Sequence, residues 1–154
     1  MDTQATLQYL LDSKAIRELR YVYARGLDRR DFDLAASPYA EDAHFKGPDT
    51  EYHGRKAIRD ALSRLTLYKA TMHTMHNQLV EIEGGAASSE TYCVAYHYYD
   101  VDGVQQQYVM GIRYEDKLRR REGRWEIVEC RANFDFFTGQ SRMFANRNAS
   151  EKRA

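Results

Sequence analysis

A chain of 154 residues has the length of one domain built on a single core. Its 23 basic and 23 acidic side chains cancel to a formal charge of +0, which removes the broad field that recruits nucleic acid or an anionic membrane surface. The two cysteines, Cys93 and Cys130, have no CxxC spacing and sit in strand-like runs, so they read as core thiols of a cytoplasmic protein.

Along the chain, Leu7, Leu10, Leu11, Ile16, Leu19, Tyr23 and Leu27 recur at helical spacing and predict a first helix with one buried stripe, weakened near Gly26. Asp31 to Ala36 reads as a second, short helix with an Asp cap, stopped by Pro38. The segments Ala43–Lys46 and Glu51–His53 flank Gly47-Pro48-Asp49, a hairpin turn that leaves His44 and His53 exposed. A third helix follows Gly54, with Ile58, Leu62 and Leu65 on its inner face.

From Thr71 the period changes to two. Strands are predicted at about 71–83, 89–101, 104–119 and 124–137, separated by turns at Gly84-Gly85, Asp102-Gly103 and Glu122-Gly123. Helices followed by a meander of long strands predict an α+β fold, a curved, mostly antiparallel sheet wrapped around N-terminal helices. The basic run Lys117–Arg121 then falls at a solvated hairpin end. Residues 1–137 form the expected domain, and 138–154 a polar tail, loose or ordered only against a neighbouring subunit. No apolar stretch reaches membrane-spanning length, and the N-terminus lacks a signal-peptide layout.

Three polar residues stand in segments that otherwise read as core: Tyr23, Asp28 and His73. A buried carboxylate and a buried imidazole are costly unless paired, and such a pair in an apolar pocket makes a general base without a cofactor. Strand alternation puts His73 on a face with Thr71, Met75, Asn77 and Leu79, and His76 on the other. His73-x-x-His76 therefore does not ligate one metal ion. The sequence has no nucleophile elbow, Walker loop or GxGxxG, so neither metal nor cofactor is expected.

The ordered segments Gly26-Leu-Asp28, Tyr39–Asp49, Gly54–Ile58, Thr71-x-His73-x-x-x-Asn77 and Gly123-Arg-Trp125-Glu-Ile127 resemble the SnoaL-like branch of the NTF2-like superfamily over residues 7–137. The resemblance implies a conical NTF2-like barrel with a pocket between helices and sheet, working on a small hydrophobic or aromatic substrate. It also implies a homodimer or homotrimer formed through the outer sheet face, for which the strand tyrosines, Phe134, Phe136 and Phe137 offer apolar surface. By position, Asp28 and His73 match an Asp–His dyad, and Tyr23 resembles the tyrosine of a bile-acid dehydratase, where a related dehydrochlorinase has lysine. His97 and Arg131 match residues that assist a leaving group. The function this implies is a lyase, most nearly a dehydratase, with an isomerase, a polyketide cyclase or a non-catalytic binding or assembly protein as the alternatives.

Structural readings compete at each position. His73 taken on its own residues reads as a satisfied core histidine, and the family position is what turns the reading to a base; Tyr23 also reads as plain core, and His97 as an interface residue. Asp28 is also placed to cap a helix or pair with Arg29 or Arg30, and Arg131 to join an ion pair with Glu129. Five residues along a regular helix turn through about 140°. Tyr23 and Asp28 are thus predicted to share a pocket only if the helix breaks near Gly26.

Overall fold

The computed structural model describes residues 2–143. Helix α1 runs Thr3–Asp28, with the Asp2 carboxylate accepting the Ala5 amide at its start. Helix α2 (Phe32–Ala36) begins on Asp31, whose carboxylate accepts the Leu34 amide at 2.9 Å. Strands β1 (Tyr39–Lys46) and β2 (Glu51–His53) form a hairpin, followed by α3 (Arg55–Leu62) and a 3-10 turn at Ser63–Leu67. The long strands are β3 (Ala70–Glu83), β4 (Ala86–Val101), β5 (Val104–Arg121) and β6 (Arg124–Thr138).

Among the described residues, six strands join one sheet in the order β2-β1-β6-β5-β4-β3. Every pairing is antiparallel except β1 with β6, which is parallel. The sheet curves over the helices without closing, so it is an open, mixed version of the predicted barrel. The β4–β5 and β5–β6 turns place two successive residues at positive φ, Asp102 and Gly103 (50° and 79°) and Glu122 and Gly123 (51° and 76°), the geometry of tight hairpins. The concave face holds the core, where Ile16, Leu27, Tyr39, Ile58, Tyr108 and Ile127 are fully buried. Among the described residues, no helix is long and apolar enough to cross a membrane.

Four sequence expectations change. Leu7, Leu10 and Leu11 are exposed, because only from Ile16 onward does the apolar stripe of α1 lie in the core. Helix α1 also continues unbroken through Gly26. A Cβ there would stand 2.6 Å from Ala35 Cα and closer still to its amide nitrogen, so Gly26 permits the close approach of α2 rather than a break. On β3 the pairing with β4 slips between Met75 and Gln78. That irregularity reverses the alternation, bringing Val80 and Ile82 against the core and leaving Asn77 and Leu79 exposed. Finally, the first tail residues dock on their own chain, where the Arg142 amide donates to the Tyr68 hydroxyl at 2.9 Å. The rest of the expected tail, residues 144–154, lies outside the described residues.

Candidate active site

The end of α1 and the start of β3 build the centre of the site. The helix stops sharply after Asp28: the Arg30 amide donates to the Leu27 carbonyl and the Asp31 amide to the Gly26 carbonyl, with Arg30 at φ 61°. This pair of bonds is a Schellman closure, usually made with glycine at the left-handed position. Here the arginine side chain is used. Its guanidinium donates to the Leu27 carbonyl at 3.1 Å, the Tyr68 carbonyl at 3.0 Å and the Thr71 hydroxyl at 2.9 Å, tying the helix end to the sheet edge.

Asp28 then grips His73 twice. One carboxylate oxygen accepts the His73 amide at 2.8 Å, and the other lies 2.7 Å from ring Nδ1 and also accepts the Thr71 hydroxyl at 2.9 Å. Burial pushes the Asp28 carboxyl upward, but the hydrogen bonds from the His73 ring, the His73 amide and Thr71 prevail and hold it below the ordinary aspartate value. An ionised Asp28 is acceptor only, so Nδ1 is the ring nitrogen that donates to it, which makes Nε2 the free nitrogen of the neutral tautomer. The His73 side chain is only 4% exposed.

A cavity of about 110 Å³ adjoins the imidazole, lined by Tyr23, Phe45, Tyr52, Tyr114, Phe134 and Met143 among others. His73 and His97 are the imidazoles on its wall. Asp28 does not line it. The 140° offset along α1 is thus reconciled without a helix break: Tyr23 faces the cavity, Asp28 sits behind His73, and the imidazole spans the gap.

Tyr23 is buried and shares a hydrogen bond with the Tyr114 hydroxyl. Burial raises its phenol well above the ordinary tyrosine value, so it remains a protonated donor. His97 is also buried, and its Nδ1 lies 3.1 Å from the Tyr108 carbonyl, which fixes the proton on Nδ1 and exposes Nε2 as an acceptor. Burial, and then the neighbouring His73, lower its pKa to about 4. Its ring meets that of His73 edge-on, with centroids 5.6 Å apart.

Arg131 lies elsewhere. It pairs across strands with Glu115 and is exposed on the convex face, lining a shallow groove with Glu115, Lys117 and Glu129. Its neighbours Cys130 and Ala132 take the inward positions. The structure therefore brings Tyr23, Asp28, His73 and His97 together and leaves Arg131 apart. Of the three phenylalanines expected at an interface, Phe134 lines the cavity, Phe137 packs on Tyr108, and Phe136 alone is exposed.

A SnoaL-like domain model matches residues 8–131. The chain belongs to the SnoaL-like family. No curated protein matches its sequence. Among solved structures, a scytalone dehydratase-like protein from Novosphingobium aromaticivorans is 19% identical with a TM-score of 0.80, covering 97% of this chain and 99% of that one. The hexachlorocyclohexane dehydrochlorinase LinA type 2 is 21% identical with a TM-score of 0.78, covering 89% and 94%. A protein of unknown function from Mycobacterium tuberculosis is 20% identical with a TM-score of 0.75, covering 84% and 75%. At these identities the likeness establishes the NTF2-like α+β fold.

Several members of this SnoaL-like site carried no role in the sequence reading. Thr71 belongs to the strand motif and faces the same way as His73, yet only the structure shows it bridging Arg30 to Asp28. Deeper in the core, the Arg20 guanidinium pairs with the Asp116 carboxylate, both side chains 1% exposed. Arg20 also stacks over Tyr114 at 4.1 Å and Tyr23 at 5.1 Å. Arg20 lies in α1 next to the stripe residue Leu19, and nothing local in the sequence names a partner 96 residues away.

Proposed function

We propose that this SnoaL-like protein is a cofactor-independent lyase that dehydrates a hydroxylated cyclic or polyketide-like small molecule. One observation carries the reading: the Asp28 carboxylate holds Nδ1 of His73 at 2.7 Å while the same imidazole borders an apolar cavity. That arrangement leaves Nε2 as a base in a site where few other groups compete for the proton.

In the proposed reaction Nε2 of His73 removes a proton from a carbon beside the carbon that bears the hydroxyl. The C–H electron pair forms the new double bond, and the C–O bond breaks. The imidazolium, stabilised by Asp28, returns its proton to the departing oxygen, which leaves as water. Tyr23 donates a hydrogen bond to the oxygen on which negative charge grows. His97 is neutral near pH 7 and offers an acceptor, so it orients the substrate hydroxyl rather than protonating it. An apolar cavity of about 150 Å³ accommodates benzene, so the 110 Å³ here encloses only part of a ring-sized substrate, and the reacting carbon rather than the whole molecule is what sits beside His73.

The test is product analysis in deuterated water with wild-type protein and His73→Ala. Loss of one water from the substrate, and a fall in turnover of about 10²–10⁴-fold in the folded variant, are expected. A product that keeps the elements of water and is heavier only by incorporated solvent deuterium overturns dehydration in favour of isomerisation. Undiminished turnover in His73→Ala overturns the base assignment.

A further inference from the structure

The hairpin at the mouth of the cavity carries a second cluster with its own chemistry. In β1 and β2, His44 stands opposite His53, Phe45 opposite Tyr52 and Lys46 opposite Glu51. Alternation turns Phe45 and Tyr52 toward the cavity, which both line, and gathers His44, His53 and Glu51 on the outer side. The two imidazoles stack with centroids 4.2 Å apart and 14° between their planes.

Their Nε2 atoms converge on one carboxylate oxygen. Glu51 Oε1 lies 2.5 Å from Nε2 of His44 and 4.0 Å from Nε2 of His53, and the three donor atoms all fall within 4.8 Å of one another. A tetrahedral ion holding nitrogen and oxygen at about 2.0–2.2 Å separates its ligands by roughly 3.3–3.5 Å. The two distances bracket that spacing, so a small swing of the carboxylate meets it. Moreover, Nε2 of His44, which the sequence reading left exposed, is shielded from solvent and aimed at Glu51 Oε1, the atom an ion would share with it.

Two other groups on this face bear on the cluster. Lys46 Nζ stands 3.6 Å from the same Glu51 oxygen and is the cation an ion has to displace. Glu129, the β6 neighbour of His44, is held by Lys117 at 3.1 Å. The protein thus offers three ligands, two imidazoles and a carboxylate, and leaves the remaining position to water.

We propose that His44, Glu51 and His53 form a binding site for one divalent transition-metal ion with the ligand preference of zinc. Spacing along a single strand, which set aside His73 and His76, does not reveal such a site, because its histidines face each other across a hairpin. A bound ion ties together the two strands whose next pair, Phe45 and Tyr52 with rings 6.2 Å apart, walls the cavity mouth. The site stands whether or not the cavity is catalytic.

The experiment titrates the untagged, chelator-treated full-length chain with zinc chloride, by calorimetry and by following the imidazole resonances. One zinc per chain is expected, with the His44 and His53 resonances moving and those of His73 unmoved. Imidazole ligation competes with protons, so binding weakens in mild acid. His53→Ala and Glu51→Gln, both at exposed positions, should each weaken binding at least tenfold, since even outer partners of a metal ligand are worth about 10–100-fold. His76→Ala should leave it unchanged. Absence of binding at millimolar zinc, or an affinity that survives both His53→Ala and Glu51→Gln, overturns the proposal.

Discussion

Asp28 fixes His73 at two points, the backbone amide and ring Nδ1, so one carboxylate sets both the strand position and the tautomer of the imidazole. Asp28→Asn separates those roles. The asparagine carbonyl still accepts the amide, while its NH2 donates to Nδ1 and drives the ring proton to Nε2, where it faces the cavity. The expected outcome is a folded protein with turnover reduced by about 10²–10⁴-fold, and ring nitrogen shifts that report the exchanged tautomer. Wild-type nitrogen shifts in a variant with wild-type turnover would contradict this role.

His97 makes stability depend on pH. Its folded-state pKa of about 4 lies below the ordinary histidine value of 6.5, because burial disfavours the cation. Between these values the unfolded chain binds the proton more readily than the folded one, so stability is full above 6.5 and declines as the pH falls toward 4. The difference is worth about 3 kcal/mol. Urea unfolding at pH 7.5 and pH 4.5 should show that loss in wild type and a much smaller one in His97→Gln. The Asp28 contribution follows at lower pH, since its depressed carboxyl stabilises the fold above the ordinary aspartate value and is lost only as acid titrates it.

Much of this was written locally in the sequence. The hairpins showed because Asp102-Gly103 and Glu122-Gly123 are residue pairs suited to positive φ, and strand alternation follows directly from such turns. Asp28 and His73 were visible as polar residues in apolar surroundings. What could not be read was set by contacts distant in sequence. The slip between Met75 and Gln78 depends on how β3 pairs with β4, and it reverses the facing of Asn77 and Leu79. The meaning of Gly26 depends on Ala35, which packs where a side chain would go. The position of Arg131 was inferred from a family likeness, whereas its own alternation with Cys130 and Ala132 already pointed it outward.

Gly26→Ala distinguishes close packing from helix flexibility. In an exposed helix interior this substitution stabilises by about 0.5–1 kcal/mol. Here the added methyl collides with the backbone of Ala35, and α2 has to move away. The variant should instead lose about 1–3 kcal/mol in chemical denaturation, as overpacked cores do. A gain in stability would show that the α1–α2 approach is looser than it stands.

The buried pair of Arg20 and Asp116 is expected to be costly to break and cheap to replace. Arg20→Met leaves a carboxylate in the core and should destabilise by about 3–5 kcal/mol. The double variant Arg20→Met, Asp116→Leu removes both charges and should recover much of that loss. Because Arg20 also stacks on Tyr23 and Tyr114, the recovered fold should still show reduced turnover if the cation helps to orient the Tyr23 hydroxyl. Additive losses in the double variant would mean that the two charges act independently.

Tyr23 and Arg131 lie on opposite sides of the sheet and should respond differently to substitution. Tyr23 lines the cavity with a phenol kept protonated by burial, and removing one such donor to a developing oxyanion typically costs about 10²–10³-fold in turnover. Tyr23→Phe should show that loss with only about 0.5–1.5 kcal/mol of lost stability from its hydrogen bond to Tyr114. Arg131 projects from the convex face, where exposed substitutions usually change stability by no more than about 0.5 kcal/mol. Because Arg131 lines the convex groove and not the cavity, Arg131→Ala should leave kcat/KM essentially at the wild-type value. The opposite ordering, a silent Tyr23→Phe beside a crippled Arg131→Ala, would move the leaving-group contact to the convex groove and require a second chain to complete the site.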